Sequence, residues 1–390
     1  MKQIRYGIIG MGNQGTTYCL NIFDKGLARD AVVTAMCDVD PDKLANVKAK
    51  TKNADAAYFT DYREMLDSGL CDAVLVETPH YQHPEMVMEC LARGIHVISE
   101  KPAGVYTKQV REMNEAAQHA EALFGMMFNQ RTNCVYRKMR ELVADGAIGE
   151  LQRVTWIITD WYRTQTYYDS GSWRATWSGE GGGVLFNQCP HQLDLLQWIV
   201  GKLPCAVHGF CQYGKWHDVE VEDEVTAYLE YDNGATGVFI TTTGETPGTN
   251  RLEISGTRGK LICEREQLIY VRNAEDSAAH CKTSPNAYKK PDSETIVVET
   301  DGQNPQHVGV LNAFAGAILR DEPLVADGRE GINGLTISNA MHLSAWTGEA
   351  VTLPLDEEKY RDLLFEHVKT SRRKEDIEAV FSSTEGTYNS

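Results

Sequence analysis

The sequence predicts an N-terminal α/β domain with a parallel sheet over residues 1–128. It predicts a second, α+β domain with a large, mainly antiparallel open-faced sheet over 129–390. Three observations carry this. Short apolar runs alternate with amphipathic stretches as far as Phe128, which implies right-handed crossovers and a parallel sheet. Beyond 129 the pattern changes to period-two strands with hairpin turns. The 390 residues are enough for two cores.

In order along the first domain, Ile4 to Ile9 reads as a strand, followed by glycine-rich punctuation and a helix through about Lys25. Val32 to Cys37 is a second strand, and Asp40-Pro41-Asp42 is a helix start. Ala73 to Val76 is a strand. Pro84 to Arg93 is a helix closed by Gly94, and Ile95 to Ser99 is again a strand. Thr107 to Glu121 is helical, and Leu123 to Phe128 completes the series. In the second domain a helix at Cys134 to Ala144 precedes strands at Gln152–Thr159, Val225–Tyr231, Ala235–Thr243 and Arg251–Ser255. Asp232-Asn233-Gly234 and Thr257-Arg258-Gly259 fit hairpin turns. Helices are expected at Pro190–Val200, His307–Arg320 and Ile332–Thr347. Residues 272–294 are polar and unpatterned and read as a surface loop. The segment after Thr370 is charged, then Ser/Thr-rich, and is expected to fray.

Composition removes several classes of function. A net charge of −17 repels phosphate backbones and anionic membrane surfaces, so neither nucleic acid nor membrane is an expected partner. No apolar run approaches the roughly 18 residues of a membrane span, and the N-terminus enters a strand pattern rather than a signal peptide. Ten scattered cysteines without a repeated C-x-x-C read as free thiols, and a cytoplasmic location is expected.

Gly10-Met11-Gly12-Asn13-Gln14-Gly15 is a G-x-G-x-x-G between a strand and a helix, the context a dinucleotide site of the Rossmann type requires. Gly10 permits a tight turn, Gly12 clears room for a pyrophosphate, and Gly15 lets helix and strand approach. Asp38 ends the second strand, where a carboxylate accepts ribose hydroxyls and repels a 2′-phosphate; no base lies beside it before Lys43. NAD is therefore the expected cofactor, in preference to NADP. Glu100-Lys101-Pro102 ends another strand and aims a cation at the cleft. His80 and His83 have H-x-x-H spacing, but no partner pair completes a zinc set, and no metal is expected.

The G-x-G-x-x-G, the segment Thr78-Pro79-His80-Tyr81-Gln82-His83, Glu100-Lys101-Pro102 and the run from Gly181-Gly182-Gly183 through Asn187 to His191 and Asp194 resemble the Gfo/Idh/MocA oxidoreductases in family order. The resemblance implies that Lys101 binds the reacting hydroxyl and that His191 is the general base. It places His83 at the nicotinamide end, with Thr78, Pro79, His80, Glu100 and Asn129 also on the cofactor side. Where that family often carries an aspartate, four residues before the histidine, this chain has Asn187. An amide cannot take a proton, so Asn187 is expected to orient substrate. Cys189 is not expected to act as a nucleophile, since hydride chemistry needs none.

Residues 160–177 are dense in aromatics and arginines, the side chains that stack on and hydrogen-bond sugar rings. Trp161, Tyr162, Arg163, Tyr167, Trp173 and Arg174 are candidate substrate contacts, together with Arg131. The expected activity is NAD-dependent oxidation of a ring hydroxyl of a sugar or glycoside, at C3 in the reading favoured. Inositol or polyol oxidation, glycoside cleavage with transient use of NAD, and a non-catalytic dinucleotide sensor are the alternatives. The resemblance further implies a homo-oligomer (dimer, tetramer or hexamer) that covers the open sheet face.

Overall fold

The computed structural model describes residues 3–372. Six parallel strands form the first sheet: β1 (Ile4–Ile9), β2 (Ala31–Cys37), β3 (Ala57–Phe59), β4 (Ala73–Val76), β5 (His96–Ser99) and β6 (Phe124–Met126). Their order is β3-β2-β1-β4-β5-β6. Both faces are covered, so β4 is buried at every residue, as an uninterrupted apolar run in a parallel sheet should be. Helix starts follow the sequence signals. Asp40 accepts the Asp42 N–H (3.0 Å) ahead of Pro41, and Asp61 accepts the Arg63 N–H (2.7 Å). Strand order reverses between β1 and β4. The loops after β1, β4, β5 and β6 therefore open on one crevice at the carboxyl ends.

The second sheet has nine strands. In chain order they are β7 (Leu151–Ile158), β8 (Ala206–Tyr213), β9 (Glu222–Glu230), β10 (Thr236–Thr242) and β11 (Asn250–Gly256), then β12 (Gly259–Glu264), β13 (Gln267–Asn273), β14 (Ser293–Val297) and β15 (Val351–Thr352). The spatial order is β14-β13-β12-β11-β7-β10-β9-β8-β15, antiparallel throughout except for β10 against β7. Val154, Trp156, Phe239, Leu252 and Leu261 line the buried face, against helices Cys134–Ala144, Pro190–Val200 and Gly331–Thr347. The other face carries Phe210 and Tyr228, both exposed.

Several expectations are revised. The surface loop expected at 272–294 contains a helix, Ser277–Thr283, capped by Asp276, and the start of the edge strand β14. β14 shows no alternation because four of its five residues are exposed. The helix expected through Lys25 is α-helical only over Asn13–Thr17 and continues as a π-helical turn over Tyr18–Phe23. β8, β12, β13, β15 and helix Glu357–Thr370 also went unread in the sequence. Helix Gln306–Arg320, late in the chain, returns to the first sheet. Its Val310, Leu311, Phe314 and Ala315 share a core with Ile4, Tyr6 and Ile8, so residues beyond 129 also help to build the first unit. The fraying expected after Thr370 concerns residues that, from 373 on, lie outside the described ones.

Candidate active site

The turn after β1 is built to receive a phosphate. Gly10 has φ +97°, and a side chain there would press on the Glu77 carbonyl at 2.5 Å. A Cβ on Gly15 would lie 1.9 Å from the Gly10 carbonyl, so only glycine brings helix and turn together. A Cβ on Gly12 would meet nothing within 4 Å. That open space sits beside the N–H groups at the start of the helix, and the residues fit a dinucleotide pyrophosphate. Asp38 ends β2 and is clamped to the turn, accepting the Met11 N–H (2.7 Å) and the Asp40 N–H (2.9 Å). Folding brings Lys43 Nζ to 3.5 Å from this carboxylate, nearer than its place in sequence suggested. Met11 contributes its backbone and buries its side chain; Asn13 and Gln14 open the helix.

Several residues expected on the cofactor side also brace the crevice. His83 is almost fully buried, with Nδ1 2.7 Å from the Pro102 carbonyl and Nε2 2.6 Å from the Thr78 carbonyl. Each ring nitrogen faces a carbonyl oxygen, so the ring sits between the loops after β4 and β5, its single N–H donating to one of the two when the imidazole is neutral. Pro79 leads into the turn that carries His80. His80 is buried, with Nδ1 3.0 Å from the Glu180 carbonyl. Glu100 accepts the Tyr18 hydroxyl (2.7 Å) and the Lys101 N–H (3.1 Å), which makes it a strut at the strand end. Asn129 donates to Gln306 Oε1 (2.6 Å), leaving its own buried Oδ1 without a protein partner.

Lys101 and His191 enter the crevice from opposite sides. Lys101 follows β5, and its ammonium donates to the Asn187 carbonyl (3.0 Å). Burial pushes its pKa down, while the carboxylates of Glu100 and Glu180 hold it up. His191 is in the first turn of helix Pro190–Val200, edge-on to Phe128 at 6.4 Å between centroids. Its Nδ1 is buried and has no partner. Burial first, then the charge of Lys101 and the nearby His307, hold the imidazole far below its ordinary pKa, so it is neutral and able to accept a proton.

Asn187 is already bonded within the protein. Its Nδ2 donates to Glu180 Oε1, and its Oδ1 accepts the Tyr167 hydroxyl (2.9 Å) and Gln188 Nε2 (3.1 Å). Around it runs a ladder of aromatic rings and guanidinium planes. Arg163 Cζ lies 5.5 Å from the Trp161 ring centre and 5.2 Å from that of Tyr167. Arg174 Cζ lies 4.7 Å from Tyr167 and 4.8 Å from Trp173, which meets His80 edge-on. Arg174 also donates to the Tyr167 hydroxyl (2.9 Å). Tyr162 is 48% exposed and Trp161 is buried.

Arg131 does not belong with the substrate contacts. Its guanidinium, 1% exposed, makes two bonds to Asp194 (2.8 and 2.6 Å) and one to Glu330 (2.5 Å). A buried arginine so paired cannot be released to a sugar without stranding Asp194. Cys189 is fully buried against Thr241, and its thiol is pushed up to about 12, the state of an inert core cysteine. Among the described residues no group of three or more metal-ligating side chains occurs. None of their helices is long and apolar enough to cross a membrane.

Two residues at the site escaped the sequence reading. Glu180 directly precedes the three glycines, and a carboxylate so close to the motif was a usable signal. His307 starts the helix that returns to the first sheet, and its Nε2 comes within 3.5 Å of Gln14 Nε2. Burial and Lys101 lower its pKa to about 4. Nothing local in sequence marks it.

Known proteins share this arrangement. Residues 4–128 match the family described as an oxidoreductase family with an NAD-binding Rossmann fold, and residues 136–262 match the Gfo/Idh/MocA C-terminal domain. The myo-inositol 2-dehydrogenase of Thermotoga maritima is 27% identical, covering 90% of this chain and 98% of the relative. The D-glucoside 3-dehydrogenase of Escherichia coli is 25% identical, covering 90% and 97%. The crystal structure of the WlbA dehydrogenase from Bordetella pertussis, in complex with NADH and UDP-GlcNAcA, superposes with a TM-score of 0.75 at 27% identity, covering 91% of this chain and 100% of that one. Together with the glycine turn, Asp38 and the Lys101–His191 pair, these matches show that the chain belongs to the Gfo/Idh/MocA family of oxidoreductases and uses NAD.

Proposed function

We propose that this enzyme oxidises a ring hydroxyl of a sugar or glycoside, at C3, to the keto sugar. The observation that carries this reading is the buried, unpartnered Nδ1 of a neutral His191 facing the same crevice as Lys101. A hydroxyl held between them loses its proton to His191, while Lys101 stabilises the oxygen as negative charge develops on it. Bound NAD supplies the hydride acceptor. The ladder from Trp161 to Trp173 supports a ring substrate, since aromatic faces stack on sugar C–H faces. The glucoside 3-dehydrogenase relative supports the choice of carbon. The myo-inositol 2-dehydrogenase relative favours a second reading, in which the ring is a cyclitol. All ten cysteines are free, which supports a reducing, cytoplasmic setting.

The test is NADH formation with NAD and a panel of glucose, methyl glucosides and myo-inositol, with the product carbon assigned by NMR. A 3-keto product from a glucoside is the expected result. Turnover of myo-inositol alone selects the cyclitol reading. Glycoside cleavage without net NADH marks transient redox use, and NAD binding with no turnover marks a sensor.

A further inference from the structure

We infer that Glu180 is a positioning residue of this active site: its carboxylate sets the Asn187 amide and places a negative charge beside Lys101 that the amide at 187 cannot provide. The inference rests on the hydride-transfer reading for its kinetic arm only.

Glu180 is 2% exposed, and both of its oxygens are committed. One accepts the Asn187 Nδ2; the other accepts the Ala175 N–H (2.6 Å). Ala175 has φ +53°, a conformation a side-chain-bearing residue adopts only when its surroundings impose it, and the Glu180 carboxylate is what holds its N–H. The Glu180 carbonyl meets His80 Nδ1 (3.0 Å), so the same residue contacts the loop after β4. With Nδ2 fixed toward Glu180, the Asn187 oxygen must face the Tyr167 hydroxyl, and Arg174 closes the chain on Tyr167. The backbone carbonyl of Asn187 receives the Lys101 ammonium. Glu180 thus sets the side chain of the residue whose main chain holds the catalytic lysine.

The charges around Lys101 are unequal. Glu100, Glu180 and Glu77 attract its proton, Arg174 repels it, and burial opposes the charge. His80, His83, His191 and His307 all feel its field, and burial lowers the pKa of each. Removing the charge of Glu180 therefore moves the Lys101 titration to lower pH.

The two positions form a complementary acid–amide pair, which makes a transposition informative. In E180Q the glutamine amide must face either the Asn187 N–H or the Ala175 N–H, donor against donor. In N187D two carboxylates face each other. In E180Q/N187D the glutamine carbonyl takes the Ala175 N–H, its amide donates to the aspartate, and the aspartate still accepts from Tyr167. Every bond is restored with the charge moved by one side chain.

The experiment measures Lys101 acetylation by acetic anhydride against pH, read by mass spectrometry on NAD-bound protein, with kcat and KM on the best substrate of the panel. E180Q is expected to move the Lys101 titration to lower pH and to lower kcat/KM about 10- to 100-fold, mostly through kcat. E180Q/N187D is expected to return both toward wild type, which a loss of fold in either single variant would not predict. An unchanged titration with full activity in E180Q, or a double variant no better than the singles, overturns the inference. If the wild-type enzyme oxidises no sugar, the proposed function falls and the Lys101 titration alone decides this inference.

Discussion

A neutral imidazole and a charged ammonium must coexist in one buried crevice, and the surroundings of Lys101 and His191 divide those states between them. Lys101→Ala and His191→Ala are each expected to lower kcat by about 10²- to 10⁴-fold, the usual contribution of a general base. NAD affinity by calorimetry should stay near wild type, and near-normal turnover in His191→Ala would remove it as the base. The sign of the pH dependence follows from its depressed pKa. With His191 as the proposed base, activity is lost only when it is protonated, so the acid limb of kcat/KM should lie below the ordinary histidine value of about 6.5. A limb at or above that value would point to another group. For Asp38→Ala, weaker NAD binding and a narrower preference over NADP are expected, measured by titration of both cofactors. Lys43, 3.5 Å from the carboxylate, would then face the ribose unopposed.

At the scale of elements, the site is held by struts between strand ends and helix starts. Glu222 takes the Gly183 N–H (2.9 Å) and the Leu185 N–H (3.1 Å), which fixes the entry to the catalytic segment from β9. Arg131 and Asp194 join the turn after β6 to helix Pro190–Val200, the helix that carries His191. Because that pair is 1% exposed on both sides, Arg131→Ala leaves a buried carboxylate uncompensated and is expected to cost about 3–5 kcal/mol. Thermal unfolding measures this. A variant with full stability and a raised KM would instead restore Arg131 as a substrate contact. The H-x-x-D spacing of His191 and Asp194 was visible in sequence, but its division into one residue with an unpartnered nitrogen and one paired with an arginine was not. Residues three apart lie on the same side of a helix, so the spacing alone does not divide their roles, and only the location of Arg131 shows which one is paired.

For the whole molecule, the open face of the second sheet remains to be covered. Phe210 is 55% and Tyr228 41% exposed on adjacent strands, a surface of the kind that subunits pair to bury. A homo-oligomer is expected, seen as a mass above 43.5 kDa by light scattering at micromolar concentration. Phe210→Asp should shift the population toward the monomer. A wild-type monomer at that concentration would set the reading aside.

By itself the sequence determined the alternation of strands and helices and the glycine turn, and it pointed to Asp38, Lys101 and the aromatic–arginine segment. Each rests on local chemistry: a period, a cap, a strand end, a glycine that only a tight turn needs; the role expected of His191 rests on the family resemblance. It was silent on strands such as β14, whose exposed polar residues carry no alternation, and on where helix Gln306–Arg320, itself legible as a helix, would pack: against the first sheet, far from its place in the chain. The partners of each polar group also came only from the fold. Arg131 binds Asp194 and Glu330 rather than a sugar, His83 bridges two carbonyls, and Asn187 answers to Glu180. A buried hydrogen bond depends on what lies within about 3 Å, and only the tertiary structure decides that.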